Sequence, residues 1–329
     1  MANGNGAAVR PPTAAATRPA RAVSSRFSWA RGLSRDAAIK ISLTAGLVLL
    51  TSVLVVRQRL EFPPADLVKP LGFLSALVGA AAYYRRRGEA RFVLCLVSLA
   101  QVLAFVACYT VLMYVTATAA SPLADGPLAA FDAACGLEVP AVRAWAGAHP
   151  FAEILLGLAY DTLLYQLALI VIILGLLGDQ RPLESFVVQF ALGALLTLVV
   201  FRFLPAEGPF SAYGFEPSAS QARYLEHLRA LRSGERRLVS FEGAEGLITF
   251  PSFHVTWAML LTLGYRHRRW LFVPFAVLNT LVVASTMTTG WHYFADVLGG
   301  LAVGFASWGA AAAMGRWIYA GGERSEVRG

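Results

Sequence analysis

Runs of some twenty apolar residues recur along this chain, separated by short basic turns, and no other feature restricts its fold so strongly. A bilayer's hydrocarbon core takes about 20 consecutive apolar residues to cross as a helix. Inside it every backbone N–H and C=O must be bonded within the protein, so such runs fold as helices. Eight windows fit: 38–56, 67–84, 92–116, 152–177, 186–204, 252–265, 271–289 and 294–318, with Lys69 and Pro70 falling in the first turn of the second. Composition agrees, since 57% of residues are hydrophobic and only 15% charged, which suits a multi-pass membrane protein and not a soluble domain. The expected fold is all-α: a polytopic membrane helical bundle of about eight transmembrane helices.

The charges orient that bundle. The net charge of +8 is carried mainly by a tail and by short turns, a positive-inside pattern that argues against nucleic-acid binding. Arg85, Arg86, Arg87 and Arg91 follow the second window, and Arg266, Arg268 and Arg269 follow the sixth. With a basic stretch at 1–36, they predict that both termini are cytoplasmic. The connections after windows one, three, five and seven then face outward, and the one after window three is net acidic (Asp125, Asp132 and Glu138 against Arg143). Residues 1–36, rich in Ala, Pro and Arg, bury too little apolar surface to order themselves, so a disordered cytoplasmic tail is expected there. They do not read as a cleaved signal peptide. A short cytoplasmic tail is expected at 321–329. Cys95, Cys108 and Cys135 make no disulfide or metal pattern.

The longest outward connection, 205–250, is too long to be structureless without a function. Within it Ser218 and Gln221 have the spacing of a capping box. Ala222, Leu225, Leu228 and Leu231 follow at helical intervals, with Arg223, Arg229 and Arg232 among them. This predicts an amphipathic helix on the outer interface that acts as a cover, or as a lid or headgroup-reading element.

Two histidines sit at the outward mouths of apolar windows. Pro251 and Ser252 suit a helix start, because proline is tolerated there and serine caps free N–H groups. Those N–H groups and the positive end of the helix dipole attract an anion such as phosphate. His254, just inside, can protonate a departing oxygen. His292 and Asp296 are four apart and share a helix face. A carboxylate on one ring nitrogen fixes the tautomer and leaves the other free to attack. Capping and a structural His–Asp bond account for each pair separately. Together, across a two-helix hairpin on one membrane side, they point to one site. His149, His227 and His267 match no motif. Trp270, Trp291 and Trp317 read as interface anchors at helix ends, and Trp291 also adjoins His292.

These residues resemble two motifs of the type 2 phosphatidic acid phosphatase superfamily, which also includes bacterial acid phosphatases and vanadium haloperoxidases. Pro251, Ser252 and His254 match its Pro-Ser-x-His motif. Ser285, His292 and Asp296 match its Ser-Arg-x5-His-x3-Asp motif, with Thr286 where the arginine usually stands. The family's first, lysine- and arginine-bearing motif is not found, and Phe253 replaces a frequent glycine. These departures, with Tyr160-Asp161, Arg181-Pro182 and the 205–209 turn, resemble the branch of inositol phosphorylceramide synthases. The resemblance spans roughly 125–315 and implies a six-helix phosphatase-type core, with 121–320 as the catalytic membrane domain and 37–120 as transmembrane helices of unassigned role.

It also implies the chemistry. His292 attacks phosphorus to form a phosphohistidine, Asp296 orients its ring, His254 protonates the leaving group, and Ser252 binds a phosphate oxygen, with no metal or other cofactor. The partner is a membrane phospholipid or lipid phosphate at the outer leaflet of a cell (inner) membrane, facing a periplasm or lumen. The acceptor is water or a polyol such as inositol. Loss of the motif cations calls for a replacement. Arg202, at the outer end of the fifth window, is the first candidate, and Arg223, Arg229, Arg232, Arg236 and Arg237 are others. For Asp161 three readings stand: it binds a hydroxyl acceptor, pairs with an arginine, or simply hydrogen-bonds a neighbour. Two other readings compete: a zinc hydrolase with His254, His292 and Asp296 as ligands, and a non-catalytic lipid-binding or transport protein.

Overall fold

The computed structural model describes Met1 and residues 35–326, with side chains over 42–314. The expected tail at 1–36 lies almost wholly outside the described residues, as do the last three positions of 321–329. The chain divides into two units, Met1–Ser42 and Leu43–Gly329, and the helical bundle is the second.

Among the described residues the structure is helical throughout, apart from one isolated bridge between Glu61 and Leu238. Three long helices come first: α1 (Arg35–Gln58), α2 (Pro64–Arg86) and α3 (Ala90–Ala117). Two short ones, α4 (Asp125–Ala134) and α5 (Val139–Ala148), precede a broken pair, α6 (Pro150–Asp161) and α7 (Leu163–Leu177), bent by 48°. Next come α8 (Gln180–Phe203), the single turn α9 (Pro209–Ala212) and α10 (Ala219–Ser233). The chain closes with α11 (Phe253–Gly264), α12 (Arg269–Thr288) and α13 (Phe294–Glu326). Each of the eight apolar windows has become a helix or the broken pair, giving an all-α polytopic membrane fold.

Among the described residues, fewer than eight of these are long and apolar enough to cross a bilayer. The helices α2, α3, α8, α12 and the Phe294–Met314 part of α13 meet the requirement, and the broken pair makes six if taken as one span. The instructive exception is α11, with 12 residues. At 1.5 Å per residue it extends roughly 18 Å, well short of the ~30 Å hydrocarbon core. It tolerates this because it is wrapped by α7, α8, α12 and α13. Val255, Ala258, Leu260 and Leu261 are fully buried in that wrapping. Its N-terminus therefore stops inside the bundle, beneath the extramembrane segment.

Close helix approach makes room for this. On α13, Gly300 and Gly304 are one turn apart and face α11, where glycines let backbones meet. A Cβ on Gly300 would lie 2.4 Å from the Ser252 carbonyl oxygen, and one on Gly304 would meet the Met259 sulfur at 2.6 Å. Thr256 Oγ1 donates to the Gly300 carbonyl at 2.8 Å, locking the pair.

The turns fall into two sets at opposite ends. Arg268 donates a forked pair of hydrogen bonds to Asp179, one of 2.7 Å, joining the α7–α8 and α11–α12 turns. Arg91, just past the α2–α3 turn, packs on Gly178. The three basic turns thus share one end. At the other, Glu61 in the α1–α2 turn pairs with Leu238 of the 204–252 segment, and Ala124 donates to the Pro205 carbonyl at 2.7 Å.

The capping box forms as expected: Ser218 Oγ accepts from Gln221 N and Gln221 Oε1 from Ser218 N. However, α10 does not present its apolar face to lipid. Tyr224, Leu228 and Leu231 are almost fully buried in a core shared with Tyr114 and Met113 of α3. The helix roofs the bundle because protein covers the face that lipid would otherwise take. Its arginines act as staples. Arg229 forks onto Glu207 at 2.6 and 2.7 Å, Arg223 pairs with Glu245 at 2.6 Å, and Arg232 donates to the Ala119 and Ser121 carbonyls. The Arg229 bond holds the Glu207 carboxyl below the usual glutamate range.

Because a methyl at Gly300 must displace backbone, Gly300→Ala is expected to cost about 1–3 kcal/mol. Thermal melting of the detergent-solubilised protein checks this against Gly309→Ala, whose position is open, so that only the first should melt lower.

Candidate active site

Ser252 is the N-cap of α11. Its hydroxyl oxygen accepts from Val255 N at 3.3 Å, its carbonyl accepts from Thr256 N, and its own N–H donates to the Asp296 carbonyl at 3.0 Å. The last bond ties the start of α11 to the first turn of α13, and it brings together two parts of the sequence forty residues apart. His254 follows on the first turn of α11, half-buried, and its neighbour Phe253 packs against Tyr109, Phe190 and Trp257.

The second histidine is held by a tight connection. Gly290, after the end of α12, has φ of +76°, a conformation that side chains resist, and His292 N–H then donates back to the Thr286 carbonyl at 3.1 Å. Helix α13 starts at Phe294, leaving backbone N–H groups without partners in their own helix. Asp132, reaching over from α4, supplies them. Its two carboxylate oxygens accept from Phe294 N at 2.8 Å and Ala295 N at 2.9 Å. Burial raises the Asp132 pKa and those two bonds oppose the rise. Asp125 on the same short helix accepts from Glu207 N, Gly208 N and the Tyr293 hydroxyl at 2.8–3.0 Å. One acidic helix therefore anchors both the α13 start and the 205–209 turn. Overhead, Trp291 meets Phe210 and Tyr224 edge-on, and Gln221 donates to the Thr289 carbonyl at 3.2 Å.

The histidines converge. His292 Nδ1 lies 3.1 Å from Asp296 Oδ2, which also accepts Tyr293 N–H at 2.9 Å, while Asp296 Oδ1 is buried without a partner. His292 Nε2 lies 3.5 Å from His254 Nδ1, with ring centroids 5.6 Å apart. Tyr160 of α6 stacks on His254 at 4.6 Å, its hydroxyl 3.5 Å from the same Nδ1. Ser252, His292 and Asp296 are 0%, 2% and 0% exposed, so the half-buried His254 is the most open of the four. A neutral His292 with its proton on Nδ1 toward Asp296 leaves the Nε2 lone pair facing His254. The groups form a line from Asp296 through His292 to His254 and Tyr160. Among the described residues no three His, Cys, Asp or Glu side chains are grouped to hold a metal ion.

The other expected participants lie elsewhere. Arg202 is exposed, and its guanidinium donates to Ser121 Oγ at 2.8 Å. Asp161 is exposed at the α6–α7 bend. Neither shares a hydrogen bond or ring contact with His254, His292 or Asp296 among the described residues. The reason is directional: Arg202 ends α8 on the outside of the bundle, and at the bend it is Tyr160, not its neighbour, that faces inward. The hydroxyls of Ser285 and Thr286 turn back onto carbonyls of their own helix, at 2.6 and 2.7 Å. Of the three sequence-read anchors, Trp270 is exposed, Trp291 packs inside protein, and the Trp317 side chain lies outside the described residues. Tyr160, Asp125, Asp132 and Arg143 were not singled out by spacing. The sequence signal available for the aspartates was only that two acidic residues interrupt a half-apolar stretch.

Residues 126–310, more than half of the chain, match the model of the PAP2 superfamily. The chain belongs to that family, the type 2 phosphatidic acid phosphatase superfamily, whose phosphoesterases and phosphotransferases support a phosphatase-type activity on lipid phosphates in general. No curated protein and no solved structure matches the chain.

Removing the Asp132 carboxylate leaves two buried N–H groups at the α13 start without acceptors. Loss of a helix cap costs ~1–2 kcal/mol. Asp132→Ala is therefore expected to lower the melting temperature and, by loosening the His292 turn, the turnover as well. Parallel melting and activity measurements check it, and Asp132→Asn, which keeps one acceptor, should fall between.

Proposed function

We propose that this protein transfers a phosphoryl group from a membrane lipid phosphate through a phosphohistidine at His292. The reading rests on one observation: a buried carboxylate on Nδ1 of a histidine whose Nε2 faces a second histidine at a helix start. His292 Nε2 attacks phosphorus and the bond to the lipid oxygen breaks. The departing oxygen takes a proton from His254. Asp296 holds the Nδ1 proton and balances the positive charge that develops on the ring. Ser252 Oγ accepts from the backbone, so its own proton is free to meet a phosphate oxygen beside the α11 dipole. In the second half, His254 removes a proton from the acceptor, whose oxygen attacks phosphorus as the P–N bond breaks. With water the product is inorganic phosphate, and with a polyol hydroxyl it is a new phosphoester. The branch resemblance favours transfer, and an inositol-type polyol is the acceptor it suggests.

At 3.5 Å the two ring nitrogens leave no space for phosphorus between them. A near-attack contact, one P–O bond and one proton-transfer contact in series span roughly 7 Å. Substrate entry therefore separates the rings, and His254, the more exposed and on a helix's first turn, is the one free to swing.

The basic turns gather at the end opposite the site, which by the positive-inside rule puts them in the cytoplasm and the histidines toward the periplasm or lumen. The lipid phosphate then comes from the outer leaflet of the inner membrane.

Purified protein offered phosphatidic acid, a lipid pyrophosphate and a phosphoinositide, each with and without inositol, tests this reading. Phosphate release or headgroup transfer is expected from the wild type. His292→Ala should abolish it, and Asp296→Asn should lower it by about 10²–10⁴-fold. Undiminished turnover by His292→Ala overturns the proposal.

A further inference from the structure

Phosphoryl transfer depends on positive charge at the non-reacting oxygens, yet Thr286 brings none to the His292 turn. The arginines of the roof are committed to Glu207, to Glu245 and to main-chain carbonyls. Arg202 points away to Ser121. Among the described residues, Arg143 is a cation that lies against the turn itself. Arg143 rises from α5, donates from Nη1 to the Thr288 carbonyl at 2.9 Å, and lays its side chain on Gly290.

We infer that Arg143 is the phosphate-binding cation of this site, taking a non-reacting oxygen of the group held by His292; the inference rests on the function proposed above. A Cβ at Gly290 would sit 3.1 Å from Arg143 Cδ and 3.4 Å from Nε, so the glycine that permits the turn also leaves the bed in which the guanidinium lies. Two trans peptides separate Gly290 from His292, so their Cα atoms are no more than about 7.6 Å apart. A phosphoryl group on His292 plus one N–H···O contact covers that interval. Arginine carries five N–H donors, of which Thr288 uses one. Its acidic neighbour, Glu153 of α6, stands at 4.0 Å, the outer limit of an ion pair. The side chain is 36% exposed, unlike its buried neighbours, so an anion can reach it. Because α5 packs on both α6 and α12, the cation is placed between the helix carrying Tyr160 and the one leading to His292.

The alternative is that Arg143 only staples α5 to α12. Orthovanadate binding to the full chain in detergent, read as the rise in melting temperature with concentration, separates the two. Arg143→Gln keeps a polar side chain but loses the charge, and its vanadate affinity is expected to fall by about tenfold or more. Arg143→Lys should recover part of it. Glu153→Gln, at a half-exposed position, removes the competing carboxylate and should tighten binding by roughly 2–5-fold. Unchanged vanadate affinity in Arg143→Gln, or in Glu153→Gln should the first variant fail to fold, overturns the inference while leaving the histidine site standing. Failure of vanadate to stabilise the wild type at all overturns the phosphate site itself, and the inference with it.

Discussion

A close backbone approach between α11 and α13 decides where the chemistry-bearing residues meet. The Ser252 carbonyl lies so near Gly300 that no side-chain carbon fits between them. That contact, with the Ser252 N–H on the Asp296 carbonyl and Thr256 on the Gly300 carbonyl, joins the start of α11 to the start of α13. Everything at the site follows from it. Pulled together by backbone, His254 and His292 need no long side chains to meet, and both helix starts open toward the same roofed space.

The short length of α11 has a related consequence. A helix that spanned the membrane would carry Ser252 and His254 to the headgroup layer. This one stops inside, and its buried faces are closed by α7, α8, α12 and α13. The recess above it is filled by the 204–252 segment, pinned through Asp125, Tyr224 and the arginine staples of α10. A dry, low-dielectric surrounding strengthens each fixed dipole at the start of α11.

Much of this was legible in the sequence. Runs of hydrophobic residues marked out α1 to α3, the α6–α7 pair, α8 and α11 to α13, because their length and apolarity are local properties, but not the short α4, α5 and α9. The four-residue step from His292 to Asp296 pairs the two side chains, although His292 precedes α13 and does not sit on its face, and the capping box at Ser218 started α10 where expected. What local pattern could not give was any bond between distant segments. Asp132 caps a helix that begins 162 residues later, and Asp125 clamps a turn more than eighty residues away. Arg202 looked functional because it is an arginine at a membrane helix end, yet its direction around the helix carries it to Ser121. The amphipathic pattern of α10 was real, but a pattern does not say whether lipid or protein covers the apolar face.

The proposed phosphohistidine requires phosphorus to bond to one imidazole nitrogen of His292. Brief reaction with a ³²P-labelled lipid phosphate, alkaline quenching and peptide mapping by mass spectrometry tests it most directly. An alkali-stable, acid-labile label on His292 is expected, absent from His292→Ala. Label on another residue, or turnover with no protein-bound phosphate under conditions that slow the second step, contradicts it.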